Sequence, residues 1–190
     1  MAECCAEQGY SETTVDAVLD RAGVALDVFE SHFADKEDCA LAALNKMVSE
    51  TLARISMAGA GSGGAIGRRG IEGGAILELL AARASFAKLT FIESRQCGTP
   101  RMREAYESAA RVLSLMMERV SEGSGNANAS ARAALGGAEA VVRRELAAGR
   151  SAQLPQFLPD FVYAVLVPLL GQGEALRQAK LAARVVAEEG

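Results

Sequence analysis

The chain has 190 residues, of which 50% are hydrophobic and only 5% aromatic, and its formal net charge is −4. This length allows one large domain or two small ones. Stretches rich in alanine, leucine, glutamate and arginine, with only four prolines, favour helices over strands because these side chains lose little rotamer freedom in a helix. We find no apolar run of the roughly 18 residues that a membrane span requires and no secretory signal. An all-α protein of the cytoplasm is expected.

Residues that carry chemistry are sparse. The single histidine and the four cysteines lack the spacing of metal ligands, and the cysteines are expected to be reduced thiols in the core. No nucleophile elbow, phosphate-binding loop or supported carboxylate pair is present. The sequence therefore predicts neither an enzyme nor a metal or cofactor site.

The first third of the chain contains the signals of several helices. A short helix ends before Gly9, a capping pattern at Thr13 begins a second helix, and Gly23 permits a tight turn into a third. Asp35 then caps a long helix with an apolar stripe that continues to Ile55. Two short helices joined by a tight turn and braced by others form a helix-turn-helix, which presents one helix to the major groove of DNA.

The glycine-rich residues 59–74 predict a mobile connection, and hence two domains, 1–58 and 59–190. Beyond it, the apolar pattern predicts a bundle of helices separated by a Ser/Gly/Asn-rich loop at 121–130. The predicted helices cover residues 75–95, 101–120, 131–148, 159–170 and 174–188.

The first third also resembles a known family. Its motifs, in order, are Gly9-Tyr10, Thr13-Thr14-Val15, Ala22-Gly23-Val24, Phe29, His32-Phe33 and Asp35-Lys36-Glu37. They resemble the DNA-binding signature of the TetR family over residues 1 to about 55, and the remainder is similar to an actinobacterial-type C-terminal domain. The resemblance implies an all-α fold with an N-terminal helix-turn-helix three-helix domain followed by a helical bundle for ligand binding and dimerisation.

The resemblance implies a regulator that binds a pseudo-palindromic double-stranded operator as a homodimer, with residues 24–33 as the recognition helix. The residues expected to contact DNA are Thr14, Ala25, Leu26, Asp27, Glu30, Ser31, His32 and Lys36. For three of them another role is open: Thr14 as an ordinary helix cap, Lys36 as a solvated charge, and His32 as a residue at the edge of the core.

The charge distribution conflicts with tight DNA binding. Residues 1–58 contain four basic and eleven acidic side chains, a net charge of −7, whereas the remainder carries +3. Asp27 and Glu30 stand where the family usually has a neutral residue and a tyrosine, and the first helix is shorter than the family's. We therefore expect weak operator affinity, or dependence on a missing basic N-terminal extension. The alternative is a TetR-like dimer that has lost DNA binding and acts as a ligand- or protein-binding module.

The second domain is expected to hold an effector pocket and a dimer interface. The predicted pocket residues are Phe86, Phe91, Glu93, Arg95, Met102, Tyr106 and Met116. Apolar residues at helical spacing are more often simply core, and Glu93 and Arg95 are equally typical of an ion pair. The expected function is a repressor released by a small apolar or amphipathic effector of unknown identity. The predicted two-fold interface contains Leu135, Gly137, Val141, Phe161, Val165 and Leu169.

Overall fold

A computed structural model describes residues 1–60, 65–96, 99–118 and 127–189, and every regular element in these ranges is helical. This confirms the predicted all-α fold. The α-helices are α1 (Ala2–Gln8), α2 (Val15–Ala22), α3 (Leu26–His32), α4 (Lys36–Ala60), α5 (Ala65–Ala82), α6 (Ala84–Lys88), α7 (Ser94–Gln96), α8 (Pro100–Glu118), α9 (Ala127–Ala147), α10 (Leu158–Leu170) and α11 (Gln172–Glu189). A π-helix spans Leu89–Glu93 and a 3₁₀-helix spans Ser151–Phe157.

Helices α1 to α4 form the helix-turn-helix around a small core of Cys4, Val18, Phe29 and Cys39. The cap of α2 is one residue later than predicted: Thr14 Oγ1 accepts a hydrogen bond from Ala17 N at 3.1 Å. The Thr13 hydroxyl instead donates to Gly9 O at 2.7 Å, which holds the end of α1 against the start of α2. Gly23 adopts the left-handed conformation (φ 66°) that allows the tight turn into α3.

The glycine-rich residues that we predicted to be a mobile connection belong in large part to a helix. Helix α5 begins at Ala65, and residues 61–64 lie outside the described ranges. A Cβ at Gly73 would lie 3.3 Å from side-chain carbons of Leu158 and Phe161. Glycine at this position therefore allows α5 to pack closely on α10, and this tertiary contact outweighs the low helix propensity of glycine.

The predicted continuous helix over residues 75–95 is interrupted. Arg83, with φ −116° and ψ 42°, separates α5 from α6. From Ala84 to Gln96 the backbone then continues as α6, the π-helix and α7, and Ser94 N–H donates to the carbonyl of Leu89 five residues earlier. The predicted loop at 121–130 lies largely outside the described ranges, and α9 begins at Ala127, four residues earlier than predicted.

The main core lies between α5, α9, α10 and α11. Contrary to our expectation, one segment, Ser151–Leu170, is long and apolar enough to cross a membrane by length and composition. In the structure this segment is the 3₁₀-helix followed by α10, and Leu154, Leu158, Phe161 and Leu166 are buried in the core. Its apolar composition is therefore that of a central helix of a bundle.

The helix-turn-helix and the C-terminal bundle are in direct contact. Cys5, Tyr10 and Ala40 from the first part pack with Leu89 and Met102 from the second. Helix α4 runs from the helix-turn-helix into the wall of the bundle without a break over 25 residues. The two parts are thus joined by a shared core and a common helix, so that movement in one part can reach the other.

Candidate DNA-binding surface and effector cavity

Helix α3 presents its outer face to solvent. Ala25, the N-cap of α3, is exposed, and so is Thr14 at the start of α2. The five predicted DNA-contact residues on the helix itself are also exposed: Leu26, Asp27, Glu30, Ser31 and His32. Val24, which precedes the N-cap, is also exposed. Phe29 anchors the helix: it is 6% exposed and its ring lies 5.3 Å from that of Phe33. This arrangement leaves the side chains of α3 available to a groove of DNA.

Several polar side chains on this surface already have local partners. Asp27 Oδ1 accepts a hydrogen bond from Val28 N at 2.9 Å, and Ser31 Oγ donates to Val28 O at 2.7 Å. Lys36 Nζ donates to Thr13 O at 2.8 Å and to Tyr10 O at 3.1 Å, and it lies 4.6 Å from the centre of the Tyr10 ring. The Lys36 ammonium therefore fixes the turn between α1 and α2, a role that we did not consider from the sequence.

Positive charge close to α3 is scarce. Arg21 donates to Glu7 at 2.5 Å and to Glu3 at 3.2 Å, which holds α2 against α1. Arg54 lies 18 residues after Lys36 along α4, or roughly 27 Å at 1.5 Å per residue. The exposed carboxylates of Asp27 and Glu30 thus dominate the charge of the recognition face.

An apolar cavity of about 100 Å³ lies in the C-terminal bundle. Its walls come from α4, α5, the π-helix, α8, α9 and α10. The lining residues are Met47, Val48, Thr51, Ile55, Ile76, Leu80, Thr90, Phe91, Tyr106, Ala109, Ala110, Leu113, Leu135, Ala138, Glu139, Val142 and Phe161. A wider groove between α8 and α9 shares Ala110, Leu135 and Glu139 with the cavity.

Few polar groups line this cavity. Burial, with a further contribution from the nearby Glu139 carboxylate, raises the pKa of Tyr106, so its phenol stays protonated at neutral pH. Glu139 is paired with Arg95 at 2.9 Å and with Arg143 at 3.7 Å. The Thr51 hydroxyl donates to Met47 O at 2.9 Å. The Thr90 hydroxyl, in contrast, is buried without a hydrogen-bond partner.

Of the six predicted effector residues whose side chains the structure describes, two, Phe91 and Tyr106, line the cavity, and their rings meet edge to face at 6.3 Å. Met102 is 0% exposed in the core between the two parts of the chain, and Phe86 packs between that core and the main one. Met116 lies in α8, but its side chain lies outside the described part of the structure. The sequence pattern placed these residues on helices but could not show which helical face meets the cavity.

The remaining two, Glu93 and Arg95, do not pair with each other. Arg95 bonds to Glu139 on α9, and its guanidinium lies 5.8 Å from the centre of the Tyr106 ring. Glu93 Oε2 accepts a hydrogen bond from Tyr10 N at 2.9 Å. Glu93 therefore connects the C-terminal bundle to the turn that follows α1, next to the segment that Lys36 holds.

The contribution of α4 to the cavity was not predicted from the sequence. Met47, Val48, Thr51 and Ile55 all line the cavity, although we assigned this part of the chain to the DNA-binding domain. The signal was present, because a helix of 25 residues is longer than a helix-turn-helix requires. Thr90 was also missed, since a lone threonine in an apolar helix carries no recognisable pattern.

The predicted dimer residues divide between the interior and the surface. Val141 and Phe161 are each 8% exposed in the main core, and Leu135 lines the cavity. A Cβ at Gly137 would lie 2.8 Å from Ala164 O, so this glycine serves the packing of α9 on α10 within the chain. Val165 and Leu169 are half-buried on α10, and Leu176, Leu181 and Val185 are exposed on α11, which packs against α10.

Comparisons with known proteins find one family model for the start of the chain and solved structures with a similar fold. Residues 2–43 match the model of the bacterial regulatory proteins of the tetR family. The fatty acid degradation regulator FadR from Bacillus halodurans has a similar fold, with a TM-score of 0.74 and 20% identity over 90% of this chain and 94% of that one. The transcriptional regulator FadR from Bacillus subtilis, in complex with stearoyl-CoA, gives a TM-score of 0.73 and 18% identity with the same coverage. Among curated proteins, none matches the sequence of this chain.

Proposed function

We propose that the chain is a dimeric cytoplasmic repressor of the tetR family of bacterial transcriptional regulators, released from its operator by a small neutral effector. The effector occupies the cavity, and α3 reads the operator. The observation that carries the proposal is the position of the π-helix between these two sites.

The π-helix has residues on both sides of the bundle wall. Thr90 and Phe91 line the cavity, whereas Leu89 is 0% exposed in the core shared with the helix-turn-helix and Glu93 binds the backbone of Tyr10. A ligand that shifts Phe91 must therefore move a helix turn that is bonded to the DNA-binding part. π-Bulges occur frequently at functional sites, and this one joins the effector site to the operator site.

The cavity also limits the size of the effector. An apolar cavity of about 150 Å³ is known to hold one benzene molecule, and the cavity here measures about 100 Å³. An eighteen-carbon acyl chain has three times as many carbon atoms as benzene and does not fit inside. The likeness of fold to the stearoyl-CoA complex thus supports a ligand-responsive regulator, while the lining of this cavity supports a smaller ligand.

The acidic recognition face favours a second function. Asp27 and Glu30 are exposed on α3, while Arg21 and Lys36 are engaged within the domain. Such a surface opposes the phosphate backbone, because non-specific affinity for DNA comes almost entirely from cations. In this alternative the dimer binds a ligand or a protein and does not bind an operator.

Selection from randomised double-stranded DNA separates the two functions. The repressor function is expected to enrich a pseudo-palindromic site, and no enrichment at 50 mM salt would favour the alternative. With the selected site, fluorescence anisotropy measures release by two probes. Cyclopentanone, a small neutral ketone, is expected to lower DNA affinity, and stearoyl-CoA is not. Release by stearoyl-CoA alone would overturn the proposed effector class.

The dimer interface is proposed on the outer surface of α10 and α11, which pack against each other. Leu181 and Val185 are 51% and 46% exposed on α11, one turn apart, and Val165 is half-buried on α10. Leu181→Glu is expected to give a monomer in light scattering because it places a charge in a self-complementary apolar surface. Val112→Glu, on the 45% exposed Val112 of α8, is the matched control and should leave the dimer intact. A dimeric Leu181→Glu variant would rule out this face.

A further inference from the structure

The most informative group in the cavity is the hydroxyl of Thr90. Thr90 lies on the π-helix, lines the cavity and is 4% exposed. Among the buried side-chain oxygens and nitrogens of the described residues, Thr90 Oγ1 is the one without a hydrogen-bond partner. A buried hydroxyl without a partner destabilises a protein. Because Thr90 lies at an apolar cavity, a ligand bound in that cavity can supply the missing hydrogen-bond partner.

A ligand can reach this hydroxyl. Threonine in a helix populates two χ1 rotamers, so the hydroxyl and the methyl group can exchange positions toward the cavity. The carbonyl of Thr90 is already used, because it accepts a hydrogen bond from Ser94 Oγ. The π-helix is thus fixed locally by Ser94, and the Thr90 hydroxyl remains available to an oxygen of the ligand.

The charges around the cavity determine which oxygen is accepted. No lysine or arginine is among the described lining residues, and the one charged lining group is the Glu139 carboxylate, already paired with Arg95 and Arg143. A ligand carboxylate in this cavity would lose its hydration, would find Arg95 and Arg143 already paired with Glu139, and would face the Glu139 carboxylate. A neutral carbonyl or hydroxyl carries no such penalty.

We propose that Thr90 is the hydrogen-bonding anchor of the effector, and that the effector is a small apolar molecule with one neutral oxygen, such as a ketone, an ester or an alcohol. The inference rests on the proposed function, in which this cavity holds the effector. It adds the residue that recognises the polar group and excludes carboxylate anions as occupants of the cavity.

The test compares cyclopentanone with methylenecyclopentane, a hydrocarbon of the same shape in which CH₂ replaces the oxygen. Dissociation constants from ligand-observed NMR give the ratio of the two affinities for the wild-type protein, Thr90→Val and Thr51→Val. Because one hydrogen bond is at stake, Thr90→Val is expected to shift this ratio against the ketone by roughly three- to tenfold. Thr51→Val is the matched control: Thr51 also lines the cavity, but its hydroxyl already bonds to Met47 O, so this change should alter both affinities alike and leave their ratio unchanged.

Thr90→Val should also unfold at a higher temperature than the wild-type protein, because valine removes the unpartnered hydroxyl at nearly constant volume. Cyclopentanecarboxylate is expected to bind none of the three proteins. An unchanged ratio in Thr90→Val, or binding of the carboxylate as tight as that of the ketone, would overturn the inference while leaving the cavity as the effector site. If neither neutral probe binds the wild-type protein, both the inference and the proposed role of the cavity fail.

Discussion

The hydrogen bond between Glu93 and Tyr10 is a direct link between the C-terminal bundle and the DNA-binding part. Glu93 Oε2 lies 2.9 Å from Tyr10 N, and Tyr10 is only 6% exposed. A hydrogen bond to a charged group contributes about 1.5–3 kcal/mol. Glu93→Ala removes the acceptor and leaves the Tyr10 N–H buried without a partner, so we expect the free energy of unfolding to fall by about that amount.

The expected change in melting temperature follows from the size of the protein. For a chain of this length, 1 kcal/mol corresponds to a shift of about 2–4 °C, so Glu93→Ala should melt about 3–12 °C below the wild-type protein. Glu93→Gln keeps an oxygen at the same reach and loses only the charge, so its shift should be roughly half as large. Circular dichroism at one fixed protein concentration measures both shifts.

A second readout separates coupling from stability. With the selected operator, Glu93→Ala is expected to weaken the effect of cyclopentanone on DNA affinity, because the π-helix has lost its bond to the turn after α1. Glu78→Ala, an exposed glutamate on α5, is the control and should change neither quantity. A melting temperature of Glu93→Ala within about 1 °C of the wild-type protein, together with an unchanged ligand response, would refute the reasoning.

Three further predictions concern packing, pH and charge. Gly137→Ala should lower the free energy of unfolding by about 1–3 kcal/mol in urea titrations, because its Cβ would lie 2.8 Å from Ala164 O. Gly136→Ala, where no atom lies within 4 Å of the new Cβ, should raise it by about 0.5–1 kcal/mol, and equal effects of the two changes would contradict the packing of α9 on α10. Burial by itself raises the pKa of Glu145, but hydrogen bonds from two arginines outweigh burial and hold this pKa below its ordinary value of 4.5. The Glu145 carboxylate therefore stabilises the fold above pH 4.5, and this contribution is lost as the pH falls through the lowered pKa. Glu145→Gln should be less stable than the wild-type protein at pH 7, and the difference should shrink toward pH 3; a constant difference would show that its charge has no part in stability. Glu30→Lys should tighten operator binding and steepen its salt dependence by about 0.9 per new phosphate contact in log–log anisotropy plots, whereas an unchanged slope would place residue 30 away from the backbone.

The helical class and the helix-turn-helix could be predicted from local patterns in the sequence. Gly23, Phe29 and Asp35 act through local rules: a left-handed turn, an anchor on one helical face, and a cap whose Oδ1 accepts from Asp38 N at 2.8 Å. Such features depend on residues a few positions apart, and their spacing can be read directly from the chain. The net charge of −7 over residues 1–58 is likewise a property of composition alone.

Which side chains form the site in the C-terminal bundle depends on the tertiary structure. The glycines before Ala75 are typical of a flexible connection in the sequence. In the structure, Leu158 and Phe161 approach Gly73 so closely that a helix at this place needs glycine. Whether Glu93 faces a ligand, Arg95 or Tyr10 depends on the π-helix, which ends at Glu93 and whose wider turn changes the direction of the side chains. One extra residue in a helical turn rotates every later side chain, and periodicity in the sequence does not reveal it. The cavity and its link to the DNA-binding part follow from that rotation.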